Sequence, residues 1–65
     1  MNKKRIIKIH LSQELEKRCT QLGLIEGSVF YDLYSTPHHD YSMILVEKKI
    51  FGVPFWIMKQ WVCES

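Results

Sequence analysis

Cysteine, proline and glycine are all scarce in this chain of 65 residues, with two, two and three of each. Each scarcity excludes something. Cys19 and Cys63 lie far apart with no Cys-x-x-Cys spacing, and in a reducing cytosol a structural disulfide between them is not expected. Both are expected to be free thiols, one on a helix face and one in the last strand. The three glycines make no phosphate-cradling loop and serve turns instead. No apolar run approaches the ~18 residues of a membrane-spanning helix. No apolar h-region follows the basic N-terminus, so a signal peptide is not expected either. A cytoplasmic location without membrane contact is the expectation. Charge of one sign is lacking too: a net charge of +2 names no partner. No linker, repeat or low-complexity stretch divides the chain, so residues 1–65 are expected to form a single domain.

What the chain does have is a concentration of bulky apolar residues between Tyr41 and Val62, including both tryptophans and two of the three phenylalanines. In so short a protein this stretch must supply most of the core. Glu47-Lys48-Lys49 interrupts it, fitting a solvent-exposed turn between two strands rich in β-branched and aromatic residues.

Upstream, residues 1–3 are expected to fray. From Lys4 to Leu11, Ile7, Ile9 and Leu11 alternate with Ile6, Lys8 and His10. This period of two predicts a strand with one buried face and Ile6 on the outer one. Ser12 then offers an N-cap hydroxyl, and Glu14 and Glu16 suit the positive end of a helix dipole. Leu11, Leu15, Cys19 and Leu22 make one helical stripe, and Gly23 supplies a left-handed terminator. The spacing predicts a helix over Gln13–Leu22. After a turn through Leu24–Ser28, Val29–Tyr34 reads as a second strand, with Val29, Tyr31 and Leu33 on one face. Pro37 ends it in a loop. In the next strand Met43 and Leu45 face one way, Ile44 and Val46 the other. Ile50–Val53 begins the return strand, in which Gly52 marks a bulge or a close backbone approach. Phe55–Lys59 fits a single helical turn, and Trp61–Cys63 a last short strand. The expected core is Leu15, Leu22, Val29, Leu33, Leu45, Val53 and Trp61.

The fold class that this order implies is α+β: a small, strongly bent antiparallel sheet with one helix after the first strand. A closed SH3-like barrel satisfies it, because closure removes exposed edges. The segment Leu22-Gly23-Leu24-Ile25-Glu26-Gly27-Ser28-Val29-Phe30 resembles the L-G-L-x-x-G entry into the second strand of FeoA-type SH3-like domains. The tail from Gly52-Val53-Pro54 through Cys63 is similar to the closing hairpin and helical turn of small barrels, including phage-encoded ones. The resemblance implies a fold and carries no functional residue across.

His38-His39-Asp40 has metal-ligand chemistry, but adjacent histidines in an extended loop point apart, so it reads as a solvated polar loop. Cys19 falls on the buried stripe, where a thiol is inert. No catalytic residue, cofactor or metal site is therefore expected, and the protein is read as a non-enzyme. The aromatic residues exceed what a minimal core requires, and tyrosine and tryptophan dominate interface hot spots. The expected function is regulatory or adaptor binding to another protein, self-association included, from a phage or mobile-element gene. The binding residues expected are Tyr31, Tyr34 and Trp56, with Lys48 and Lys49 at the rim. The alternative is a nucleic-acid-binding barrel, in which Tyr31, Tyr34, Tyr41 or Trp56 stack on bases and Lys3, Lys4, Arg5, Lys8, Lys48, Lys49 and Lys59 meet phosphates. Against it, seven acidic residues dilute the field.

Overall fold

The computed structural model describes residues 2–38 and 40–65. The histidine pair of the loop therefore lies partly outside the described residues, at His39. Five strands, β1 (Asn2–Ile9), β2 (Val29–Ser35), β3 (Tyr41–Val46), β4 (Lys49–Pro54) and β5 (Trp61–Glu64), form one antiparallel sheet in the order β4-β3-β2-β1-β5. Helix α1 (Gln13–Gln21) follows β1, and the short α2 (Phe55–Met58) separates β4 from β5. The α+β class and the element order match the expectation. The ladder does not close into a barrel: β4 and β5 are its two edges.

Local chemistry accounts for the elements. The Ser12 hydroxyl accepts from the Leu15 N–H at 3.4 Å and opens α1. At the far end Leu22 is the cap and Gly23 adopts φ 83°. The Leu24 N–H then bonds the Cys19 carbonyl at 2.8 Å, and the Gly23 N–H bonds that of Thr20 at 3.0 Å. This is a Schellman motif, and its characteristic apolar contact brings together Leu24 and Cys19, both buried. The Ser28 hydroxyl closes the following turn, accepting from the Ile25 N–H and donating to the Gly23 carbonyl, each at 2.9 Å. Gly27, at φ 94°, supplies the second left-handed position. The β3–β4 hairpin turns through Glu47 and Lys48 with Val46 opposite Lys49. Glu47 has positive φ, 56°, at a hairpin-turn position where glycine or asparagine is usual.

Ile6, Phe30, Leu24 and Ile44 are fully buried, joined by Ile9, Cys19, Val46, Val53 and Trp61. The Phe30 and Trp61 rings meet edge to face, centroids 5.6 Å apart. Leu11, Ile57 and Met58 pack against this cluster, so α1, the Leu24 turn and α2 cover one face of the sheet.

That face is not the one expected for every strand. Only Val53 and Trp61 of the seven expected core residues are buried; Leu15, Val29, Leu33 and Leu45 are half-buried, and Leu22 is 53% exposed. The register explains the reversal. Lys3 stands opposite Tyr31, and Arg5 opposite Val29, so the face bearing Val29 and Tyr31 must also carry two cations. The other face joins Phe30, Ile44 and Val53 to Ile6, and its one β1 cation, Lys4 opposite Phe30, is paired with Asp32 at 3.5 Å. In β1 the alternation itself is broken. Ile6 pairs with Cys63 and Lys8 with Val62, leaving Ile7 as the extra residue of a bulge. Ile6 and Ile9 thereby share the buried face, while Ile7 is 46% exposed. β1 also begins earlier than expected: Asn2 and Lys3 are paired with Asp32 and Tyr31 rather than frayed, and the strand stops at Ile9.

Candidate binding surface

The uncovered face of the sheet is built row by row. Lys3, Tyr31, Leu45 and Ile50 follow one another across β1, β2, β3 and β4. Beyond the β2 bulge at Leu33, Tyr34, Met43 and Gly52 form the next row, and Tyr41 opposite Pro54 the last. On the other flank, Val29, Arg5 and Glu64 form a row, with Lys8 opposite Val62 beside it. Tyr34 is 61% exposed and Ile50 60%, and Tyr41 and Val62 are exposed as well. Gly52 produces no bulge, because the β3–β4 register runs unbroken through it. It permits a close approach instead: a Cβ there would stand 3.2 Å from the Met43 sulfur and 3.7 Å from the Tyr41 ring. Two side chains thus lie down over bare backbone.

The expected binding residues divide among three places. Tyr31 and Tyr34 share the uncovered face. Lys48 lies in the hairpin turn and Lys49 opens β4, both exposed. Trp56, 55% exposed, is carried by α2 at the opposite end of β4 from that turn, roughly 15–20 Å away at strand rise. Within one molecule they do not form one cluster. Met43 and Ile50 were not singled out by sequence, and Tyr41 only among the surplus aromatics and candidate stacking residues. The signal existed: a two-residue turn at Glu47-Lys48 sets Leu45 opposite Ile50 and Met43 opposite Gly52 by counting outward.

Electrostatics temper the basic N-terminus. Lys4 meets Asp32 at 3.5 Å and Arg5 meets Glu64 at 3.6 Å. Lys3 and Lys8 are the cations of β1 without an ion-pair partner among the described residues. Both thiols are free. Burial pushes the Cys19 thiol up; the nearby Trp61 indole opposes this and Glu16 reinforces it. The indole Nε1–H, itself buried, has no acceptor at proper hydrogen-bonding geometry, so its help to a thiolate is weak. Burial raises Cys63 likewise, against the pull of Lys4. Protonated thiols are poor nucleophiles. Among the described residues no three His, Cys, Asp or Glu side chains gather as metal ligands, and no helix is long and apolar enough to cross a membrane.

An apolar groove of about 200 Å³ runs between α1 and the β4 edge, lined by Leu15, Leu22, Leu24, Val53, Pro54 and Ile57. Compared with known proteins, the chain matches no protein-family model and no curated protein sequence.

Proposed function

We propose that this protein is a non-enzymatic regulatory or adaptor module that binds another protein through the uncovered face of its sheet. The observation that supports this is the chemistry of that face. Tyr31, Tyr34, Tyr41, Met43, Leu45 and Ile50 form adjacent rows there with no helix over them. Contiguous apolar surface of this kind marks partner sites, and tyrosine at its centre supplies rigid contact area with a polar tip. Lys48 at the hairpin tip and Lys3 at the opposite margin act as rim charges that steer association. The test is affinity capture from a lysate with the wild type and with Tyr34→Ala. A partner held by the wild type and lost from the variant supports the reading; a partner set unchanged by Tyr34→Ala and Tyr41→Ala together overturns it.

One observation favours a second reading, nucleic-acid binding: Lys3, Arg5 and Lys8 share the tyrosine face, with Lys3 directly opposite Tyr31. Base stacking on tyrosine beside free cations is how sheet surfaces hold single strands. The ion pair to Glu64 and the aliphatic residues Leu45, Ile50 and Val62 weigh against it. A titration with single-stranded and duplex DNA and RNA at low salt decides between them, since phosphate binding must weaken steeply as salt rises.

We also read the architecture as SH3-like. What supports this is the meander β1 to β4, the helical turn before β5, and the return of β5 to pair with β1. The hydrogen-bonded ladder itself stays open between β4 and β5.

A further inference from the structure

The free edge of β4 has a definite hydrogen-bonding phase. The Phe55 N–H bonds the Asp40 carbonyl at 2.9 Å, and Val46 faces Lys49 across a two-residue turn. In an antiparallel ladder the bonded pairs alternate. Val46–Lys49, Ile44–Phe51, Ser42–Val53 and Asp40–Phe55 are therefore the pairs that exchange bonds, and Ile50, Gly52 and Pro54 direct their backbone groups away from β3. This explains how proline ends a paired strand: its missing N–H belongs on the open side. Neither the Ile50 nor the Gly52 N–H has a further acceptor among the described residues, and both residues are exposed. An edge of this kind is a template for another strand. Its protective residues, Lys49 and Pro54, stand only at its two ends.

We propose that β4 pairs antiparallel with the β4 of a second copy, about a two-fold axis at Gly52, joining two five-stranded sheets into one. The sequence of the edge is self-complementary in this register. Gly52 meets Gly52, each N–H donating to the other's carbonyl, and each Ile50 N–H donates to the carbonyl of Pro54 in the other copy. The one donor that proline lacks costs only the partner of an Ile50 carbonyl, which stays in water. Glycine at the axis leaves no pair of side chains side by side on the tyrosine face at the centre of the contact.

Complementarity beyond the backbone names a second copy rather than an unrelated strand. In this register the Lys48–Lys49 tip of one copy comes level with Phe55 and Trp56 of the other, whose rings are 44% and 55% exposed. Ammonium groups over aromatic faces attract. The lysines and the tryptophan, at opposite ends of β4 within one molecule, thereby meet across the axis. Phe51 comes level with Val53 of the other copy, at the mouth of the apolar groove between α1 and β4. The contact is isologous and closes at two chains. It uses an edge rather than the tyrosine face, so it stands or falls independently of the proposed binding face.

Sedimentation velocity of the full chain over roughly a hundredfold range of concentration, with amide exchange on the same samples, tests it. A reversible monomer–dimer equilibrium is expected, with protection at the Ile50 and Gly52 amides that grows with concentration. Gly52→Pro removes an outward N–H that the β3–β4 ladder does not use; it should weaken the dimer by about tenfold or more. Trp56→Ala should weaken it by roughly threefold to tenfold, and Tyr34→Ala should leave it unchanged. A monomer at every concentration, growth beyond the dimer, or Ile50 and Gly52 amides indifferent to concentration would each overturn the proposal. A dimer equally stable in Trp56→Ala and Gly52→Pro would do the same. Should Gly52→Pro fail to fold, the wild-type exchange data and Trp56→Ala decide alone.

Discussion

The two faces of the sheet differ less in composition than in what their neighbours on β1 allow. Both carry bulky side chains on β2, β3 and β4: Phe30, Ile44, Phe51 and Val53 on one, Val29, Tyr31, Leu45 and Ile50 on the other. On β1 the first face receives Ile6, Ile9 and a single cation, Lys4, which pairs with Asp32; the second receives Lys3, Arg5 and Lys8. Three cations against one paired cation outweigh aliphatic residues on three other strands, because burying a charge costs far more than a valine gains. The face that could not be buried stays uncovered. A sheet face is thus decided by its most highly charged strand.

The largest expected break in this comparison is Phe30→Ala. Removing a fully buried ring that packs edge to face on Trp61 should cost about 3–5 kcal/mol, enough to unfold much of a small domain in a urea titration. Its neighbour Tyr31, on the uncovered face, should cost less than about 1.5 kcal/mol as Tyr31→Ala. Equal losses at the two positions would mean that the faces are not distinguished by burial. Next comes Glu26→Ala. The Glu26 carboxylate accepts the Ile9 N–H at 3.2 Å, beside the β1 bulge that turns Ile9 into the core. Losing that acceptor should cost about 1–2 kcal/mol, with Glu26→Gln recovering part of it in the same titration.

The covered face should also give stability a pH dependence. Burial holds the Cys19 and Cys63 thiols above their ordinary value of 9.0, so the folded chain keeps those protons longer than the unfolded chain does. Their contribution is fully present below the unfolded value and is lost as pH rises through the folded ones. The urea midpoint should fall above about pH 9, and Cys19→Ala should shallow that fall; an identical alkaline slope in the variant would contradict it. The smallest effect on stability is expected at Tyr34. Tyr34→Ala should shift the midpoint by no more than about 0.5 kcal/mol, while costing a bound partner about 2 kcal/mol or more. A variant that lost stability and binding together would return Tyr34 to the core.

Elements written in local chemistry were legible from the residues alone. Ser12, the acidic first turn and Gly23 bounded α1 to within a residue of its end, because caps and left-handed glycines act within a few positions of themselves. Pro37, the helical turn after Pro54 and a turn at Glu47-Lys48-Lys49, of which Lys49 in fact opens β4, were legible for the same reason. Leu24 carried an unread local signal: an apolar residue just after a C-terminal glycine is the one that folds back on the helix. Which face of β2 and β3 is buried is a property of five strands together. Read singly, Val29-Tyr31-Leu33 is as good a core stripe as Phe30; only the pairing of Lys3 with Tyr31 and Arg5 with Val29 excludes it. The Ile7 bulge is tertiary too, since it arises where β1 must hold Ile6 against Cys63 and Ile9 against Trp61. The separation of Trp56 from Tyr31 and Lys48 follows from strand length and from a helix placed after Pro54. Sequence determined the order of the elements and the bounds of those set by caps and turns, because caps and turns are local. The start of β1 came instead from its pairing with β2. Tertiary structure decided which sides face inward, because charge on one strand is felt by side chains brought beside it only by pairing.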